Sequence, residues 1–327
     1  MKHRTLTLIA ILTLTLIFSA LCLSACGGES PKPIKLADIE DINKIYAGSY
    51  TPPVTIPLSD YVNENGCQVV YYITTSDASV ASATAENGTL TVNFHKADAS
   101  ADIAVSVKTG DTEAFALNFK VNTKSISKIA CIGDSLTYGH TWTNQAYPVF
   151  LSEMVDDYGW EVKNFGLNGA SITGTNPNLY LKYTEQKQYT DSLDYDADVV
   201  VIMLGTNDSK DWKAAEPNFE SWYIELIESY QEKNPDVEII LVTAPPTLEN
   251  NKFNLPNNVI KEKVCPIQRD VAEELGLPMI DFRQICEEYK GGYESLLRTD
   301  AAFDGVHLSF DGAVLLADLI RDEILKL

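Results

Sequence analysis

Three observations on the 327-residue sequence predict a two-part protein, a small all-β sandwich followed by an α/β domain built on a parallel sheet. Between about residues 46 and 124, apolar and polar residues alternate with period 2, as half-buried strands require. From about Ser127 onward, short apolar runs alternate with helix-length segments, as a parallel sheet with crossover helices requires. Hydrophobic residues make up 45% of the chain, enough to pack both cores and to exclude global disorder.

Residues 1–25 read as an export signal. Lys2, His3 and Arg4 form a positive start, Leu6 to Leu23 is an apolar stretch, and small residues precede Cys26. Leu23-Ser24-Ala25-Cys26 resembles the bacterial lipoprotein box, which implies lipidation of Cys26 and an extracytoplasmic, lipid-anchored protein at the bacterial cell surface. An uncleaved membrane anchor is the alternative, and it places the folded part on the same side. Residues 26–45 are polar, carry Pro31-Lys32-Pro33 and read as a tether.

Residues 46–124 supply the strands Leu90–Phe94, Ile103–Val107 and Phe115–Val121, separated by turn signals at Asn87-Gly88 and Thr109-Gly110-Asp111. Ser76–Val80 followed by Asn87–Leu90 resembles the immunoglobulin-like modules of bacterial surface proteins. A spacer suits this module better than a glycan binder, because no strand face carries an aromatic platform.

The second part, 125–327, begins with a strand over Ser127–Gly133. A helix is expected over Pro148–Tyr158, a strand over Glu161–Asn164, and a central, wholly apolar strand over Asp198–Leu204. An amphipathic helix over Pro217–Glu232, a strand over Val237–Val242 and a helix over Val259–Leu275 follow. A short strand over Pro278–Phe282 comes next, and Ser309 N-caps a final helix that runs to Leu327.

Cys67, Cys131, Cys265 and Cys286 remain after the export region, and none forms a Cys-x-x-Cys pair, so a zinc or redox site is not expected. A Cys265–Cys286 disulfide stays open. Lys and Arg total 25 against 46 Asp and Glu, a net charge of −21, which argues against nucleic acid as a partner.

The chemistry gathers at strand ends. Gly133-Asp134-Ser135 closes the first strand, where ligands bind in open α/β sheets. A serine hydroxyl needs a base to become a nucleophile. His307 lies three residues after Asp304, so the carboxylate can fold back onto one ring nitrogen and leave the other for Ser135. Asn207, after the central strand, and a glycine in Asn164–Ser171 are candidate oxyanion donors. Alone, each piece is more often a turn or a cap than a catalytic group.

Together, Gly-Asp-Ser-Leu, Asn-x-Gly-x-x-Gly, Gly-Thr-Asn-Asp and Asp-x-x-His occur in the order and at the strand ends of the SGNH (GDSL) hydrolase family, and the resemblance covers about 200 residues from Ser127. It implies a flavodoxin-like three-layer α/β/α sandwich with about five parallel strands. It also implies an acyl-serine mechanism with no metal or organic cofactor. Ser135 would be the nucleophile, His307 the base and Asp304 its orienter, with the Ser135 and Gly169 backbone N–H groups and the Asn207 amide forming the oxyanion hole. Asp134, His140, Trp142, Asp208 and Trp212 are candidate pocket residues. Within the family, these blocks look most like bacterial carbohydrate O-acetylesterases, with an acetylated glycan as the expected partner. A lipolytic esterase and a non-catalytic glycan-binding lipoprotein are the alternatives.

Overall fold

The computed structural model describes residues 39–58, 69–86, 88–109, 112–175, 181–298 and 304–327. The export signal, Cys26, most of the tether, Cys67 and the turn residues Asn87, Gly110 and Asp111 lie outside them. Among the described residues, no helix is long and apolar enough to cross a membrane. The chain divides into two compact units, one of Pro52–Thr123 with the residues up to Asn43, the other of Lys44–Thr51 and Lys124–Leu327.

The first unit is all β. Strands β1 (Ile42–Ile45), β2 (Val54–Pro57), β3 (Val69–Thr75), β4 (Ala81–Glu86), β5 (Thr89–Phe94), β6 (Ala99–Thr109) and β7 (Thr112–Lys124) form two sheets, of order β1-β7-β6-β3 and β2-β5-β4. The β3/β6, β6/β7, β2/β5 and β4/β5 pairs are antiparallel. Alternation sets the inward face: Leu90, Val92 and Phe94 are buried, while Thr89, Thr91 and Asn93 are only half-buried. One boundary moves. Residues 42–45, read above as the end of a tether, form a strand, and Ile45 and Ala47 are buried in the core of the second unit. The polar composition of 26–45 hid Ile45.

In the second unit, β8 (Lys128–Gly133), β9 (Glu161–Asn164), β12 (Val199–Met203), β13 (Glu238–Val242) and β14 (Met279–Ile280) form one parallel sheet of order β14-β13-β12-β8-β9. A short parallel pair, β10 (Ala170–Ser171) and β11 (Leu181–Lys182), stands apart. The order is flavodoxin-like: the chain moves from β8 to β9 on one side, then returns to β12 on the other. The switch point therefore lies between the carboxyl ends of β8 and β12.

Alternate side chains of the inner strands feed two cores. Ile129, Cys131, Val199 and Val201 face a layer with α2 (Tyr147–Val155), α6 (Phe282–Glu287) and α7 (Phe310–Ile324). Ala130, Ile132, Val200 and Ile202 face the opposite layer, with α4 (Phe219–Lys233) and α5 (Cys265–Glu274). Both faces of these strands are buried against mainly apolar side chains, which is why they read as continuous apolar runs. Cys286 sits in the first core and Cys265 in the second, on opposite faces of the sheet, and both are unpaired.

Two expected elements differ. The helix read over Val259–Leu275 opens into a π turn at Ile260–Val264 before α5. Pro266 is the cause: its ring would clash with the Glu262 carbonyl, and it has no N–H to offer. The strand read over Pro278–Phe282 stops at Ile280, because the Asp281 side chain accepts the Gln284 N–H and starts α6.

Candidate active site

The serine is placed by backbone economy at the end of β8. Asp134 N-caps the single turn α1 (Ser135–Tyr138), its Oδ1 accepting the Leu136 N–H at 2.8 Å. A Cβ on Gly133 would lie 2.0 Å from Thr137 Oγ1 and 2.7 Å from the Met203 carbonyl, so only glycine lets the strand turn into the helix here. The loop after β9 is sewn onto the same turn. Asn164 donates to the Thr137 carbonyl at 2.8 Å, Leu167 N–H donates to the Gly133 carbonyl at 3.0 Å, and a Cβ on Gly166 would lie 2.3 Å from the Tyr138 nitrogen.

The base arrives from the other end of the chain. Leu297 and Leu308 form an antiparallel bridge, and the Arg298 N–H donates to the His307 carbonyl at 2.8 Å. Asp304 folds back as its spacing predicts. Its Oδ1 accepts the Val306 and His307 backbone N–H groups at 2.9 and 2.8 Å, and its Oδ2 lies 2.9 Å from His307 Nδ1. His307 Nε2 then lies 2.8 Å from Ser135 Oγ across 172 residues of sequence. A carboxylate, an imidazole and a hydroxyl thus stand in one hydrogen-bonded row, with both His307 and Asp304 buried. Burial pushes the Asp304 carboxyl up, but the hydrogen bond and charge of His307 and the two backbone N–H groups outweigh it, so the carboxyl is held below its ordinary range.

The other candidates divide. Asn207 is buried in the turn after β12, and its Nδ2 donates to the Ala170 carbonyl at 2.8 Å, leaving its second amide hydrogen for another acceptor. Gly169 holds φ +73°, and Gly166 is scaffold, its N–H engaged by Asn164 Oδ1 at 2.8 Å. His140 lies flat on the base: the rings of His140 and His307 stack at 4.2 Å and 4°, with the edge of Phe253 against both. Burial, then the charge of His307, holds the His140 imidazole below its usual value. Trp142 is half-buried on the same loop, with the Arg298 guanidinium 4.3 Å from its ring centre.

Three of the expected pocket residues are scaffold instead. Asp208 is 1% exposed and clamps the Ala170–Thr173 stretch, accepting from Ile172 N–H, Thr173 N–H and Thr173 Oγ1 at 3.0, 2.9 and 2.7 Å. Trp212 packs edge-on against Phe219 on the second core. Asp134 is also 1% exposed, and its Oδ2 meets no hydrogen-bond partner among the described residues. Polarity beside a motif suggested a pocket, yet these groups hold the loops that shape one. Phe253 and Arg298 escaped the sequence reading. The one available signal was a lone arginine after Ser295-Leu296-Leu297 in a segment otherwise poor in positive charge.

Burial leaves the Asp208 carboxyl raised to about 6 against its three donors. Burial, opposed by one N–H and reinforced by the charge of Asp208, raises Asp134 to about 7. Folded Asp134 thus binds its proton more tightly than the unfolded chain does. The stability this contributes is complete below about pH 4 and is lost as pH rises through about 7. Asp134→Asn keeps the cap on Leu136 and removes the titration. The melting temperature of the variant is expected to fall less steeply than the parent's between about pH 5 and 8. Parallel curves would overturn the assignment.

Residues 131–315 match the model of the GDSL-like Lipase/Acylhydrolase family. An acetylxylan esterase of Xylanibacter ruminicola is 28% identical over 225 residues, which cover 60% of this chain and 43% of that protein. The chain therefore spans less than half the length of this curated relative. The lipase/acylhydrolase of Enterococcus faecalis superposes with a TM-score of 0.50 at 25% identity, over 61% of this chain and 96% of that one. With the family's model matching more than half of the sequence and the four blocks meeting at one sheet edge, the chain belongs to the GDSL-like lipase/acylhydrolase family.

Proposed function

We propose that the protein is a serine esterase that removes acetyl and other short acyl groups from carbohydrate esters through an acyl-serine intermediate. The observation that carries this is the 2.8 Å approach of Ser135 Oγ to an imidazole whose far nitrogen is held by a buried carboxylate. Ser135 Oγ attacks the ester carbonyl carbon while its proton passes to His307 Nε2. The carbonyl oxygen becomes an oxyanion, met by the Ser135 N–H, the Gly169 N–H and the second amide hydrogen of Asn207. His307 returns the proton to the departing sugar hydroxyl, and the acyl group stays on Ser135. Water then loses a proton to His307 and attacks the acyl carbon, releasing the carboxylic acid and restoring the hydroxyl. Gly169 suits the donor role better than Gly166, whose N–H Asn164 already engages.

The sugar side of this reading rests on the acetylxylan esterase relative and on the aromatic and polar loop at Trp142. Leu23-Ser24-Ala25-Cys26 supports lipid anchoring at the bacterial surface, with the all-β unit as an immunoglobulin-like spacer, a setting that suits a glycan too large to import. Cys26→Ala is expected to release the protein from membranes.

The deciding assay is acetate release from acetylated xylan, mannan and sialic acid beside lysophospholipid. Release from at least one glycan, faster than from the lysolipid, is expected. Turnover of lysolipid alone would replace this reading with a lipolytic one.

A further inference from the structure

A cavity of about 380 Å³ is lined by Trp142, Gln145, Arg298, Ser309, Phe310 and Asp311 among others, with Trp142 two residues beyond His140 and Ser309 two beyond His307. That volume lies in the range of small-molecule sites. We propose that this cavity is a binding subsite for a neutral sugar ring, one that holds a neighbouring unit of the glycan whose acyl group enters the catalytic site. The subsite rests on the carbohydrate-esterase reading above and gives it a second point of contact.

Three features fix the class of ligand. First, two aromatic side chains border the space. The guanidinium of Arg298 lies 4.3 Å from the centre of the Trp142 ring, and Phe310 is 54% exposed at the start of α7, in edge contact with Phe150. An aromatic face left in water beside a polar cavity suits the C–H face of a pyranose.

Second, the polar groups stand at the sides, where ring hydroxyls would point. Ser309 Oγ is committed to the helix cap and to the Ser295 carbonyl, but the Gln145 amide and the Asp311 carboxylate make no side-chain hydrogen bond with the described residues. They offer both donors and acceptors.

Third, the cavity carries one cation, Arg298, and one anion, Asp311, so its charged groups balance and favour a neutral ligand. Arg298 is 3% exposed, and its Nε, NH1 and NH2 groups already donate to the Leu308 carbonyl, Thr141 Oγ1 and the Gly139 carbonyl. It serves as a rigid wall, while Asp311 presents a negative charge to anything entering.

The same contacts tie the cavity to catalysis. Arg298 grips the Gly139 carbonyl at the end of the helical turn that carries Ser135, and its backbone N–H holds the His307 carbonyl. A ring seated here borders both the loop of His140 and the strand of His307. A polymeric substrate is therefore expected to gain affinity that a small ester lacks.

The test is calorimetric titration of unacetylated xylohexaose and mannohexaose into the full chain carrying Ser135→Ala. It is repeated with Phe310→Ala and, separately, Gln145→Ala added. Both added positions are only lightly packed, so folding is checked by the melting temperature and either variant suffices if the other fails. At least one hexaose is expected to bind, with its affinity falling about tenfold on loss of Phe310. No binding by either hexaose, or binding unchanged in both variants, overturns the subsite. Acetate release by the unmutated enzyme separates the two ideas: hexaose binding without esterase activity removes the esterase reading and leaves a sugar-binding cavity with no catalytic partner, whereas acetate release without hexaose binding removes the subsite alone.

Discussion

Ser135→Ala is expected to lower the rate of acetate release by about 10⁶-fold while leaving the melting temperature nearly unchanged. The large kinetic effect follows from covalency. Without the hydroxyl there is no acyl-enzyme, and the remaining imidazole can only activate water from the wrong position. The small structural effect follows from the surroundings. Ser135 Oγ makes its hydrogen bond to His307 Nε2, and the turn α1 is held by other groups: the Asp134 cap, the Asn164 bond to the Thr137 carbonyl, and the close approach of Gly166. Removing one half-buried oxygen leaves all of these in place. Acetate release and a thermal melt on the same preparation check both halves. Activity within tenfold of the parent would show that another group is the nucleophile.

The parts of this site that are local in sequence were legible, and the parts made by distant packing were not. Asp304 and His307 are three residues apart, so one turn brings carboxylate to imidazole, and the sequence alone predicts the contact. The Ser309 cap of α7 is equally local. The inner strands β8 and β12 were readable because both of their faces are buried, which leaves Lys128, at the start of β8, as their one polar residue.

Helix α3 (Lys187–Tyr195) was missed: its sequence is largely polar, no side chain caps its start, and it offers only Tyr189, Leu193 and Tyr195 to the second core. The stacking of His140 on His307 depends on a left-handed residue, φ +48° at His140, which nothing in Tyr138-Gly139-His140 announces. Asp134 and Asp208 show the converse error. A carboxylate beside a catalytic motif reads as a pocket group, but burial and three donors on Asp208 make it a clamp. Whether an acid beside such a motif faces solvent is decided by loops that meet only in the folded chain, and here both acids are buried.

Asp304→Asn separates the orienting role of this carboxylate from its structural one, because one residue does both with different oxygens. Oδ1 accepts two backbone N–H groups and Oδ2 accepts the proton on His307 Nδ1. An amide has one acceptor atom and one donor atom, so it can satisfy only one side. With its oxygen toward Nδ1, its NH₂ meets the Val306 and His307 N–H groups, and two buried donors lose their acceptor at about 1–3 kcal/mol each. With its oxygen toward the backbone, its NH₂ faces Nδ1, which must then be the unprotonated nitrogen. The second arrangement costs less and fixes the wrong tautomer: the proton sits on Nε2, pointed at Ser135, and cannot be joined by another from the serine. The expected result is a fall in kcat of about 10⁴-fold with a modest loss of stability. A second readout follows from charge. Because the folded Asp304 carboxyl is held below its ordinary value, its contribution to stability is present above about pH 4 and is lost as pH falls through that lowered value. The Asp304→Asn protein lacks this titration, so its melting temperature should decline less between about pH 5 and 2 than the parent's. A variant that keeps a tenth of the parental kcat would mean that His307 is oriented without its carboxylate.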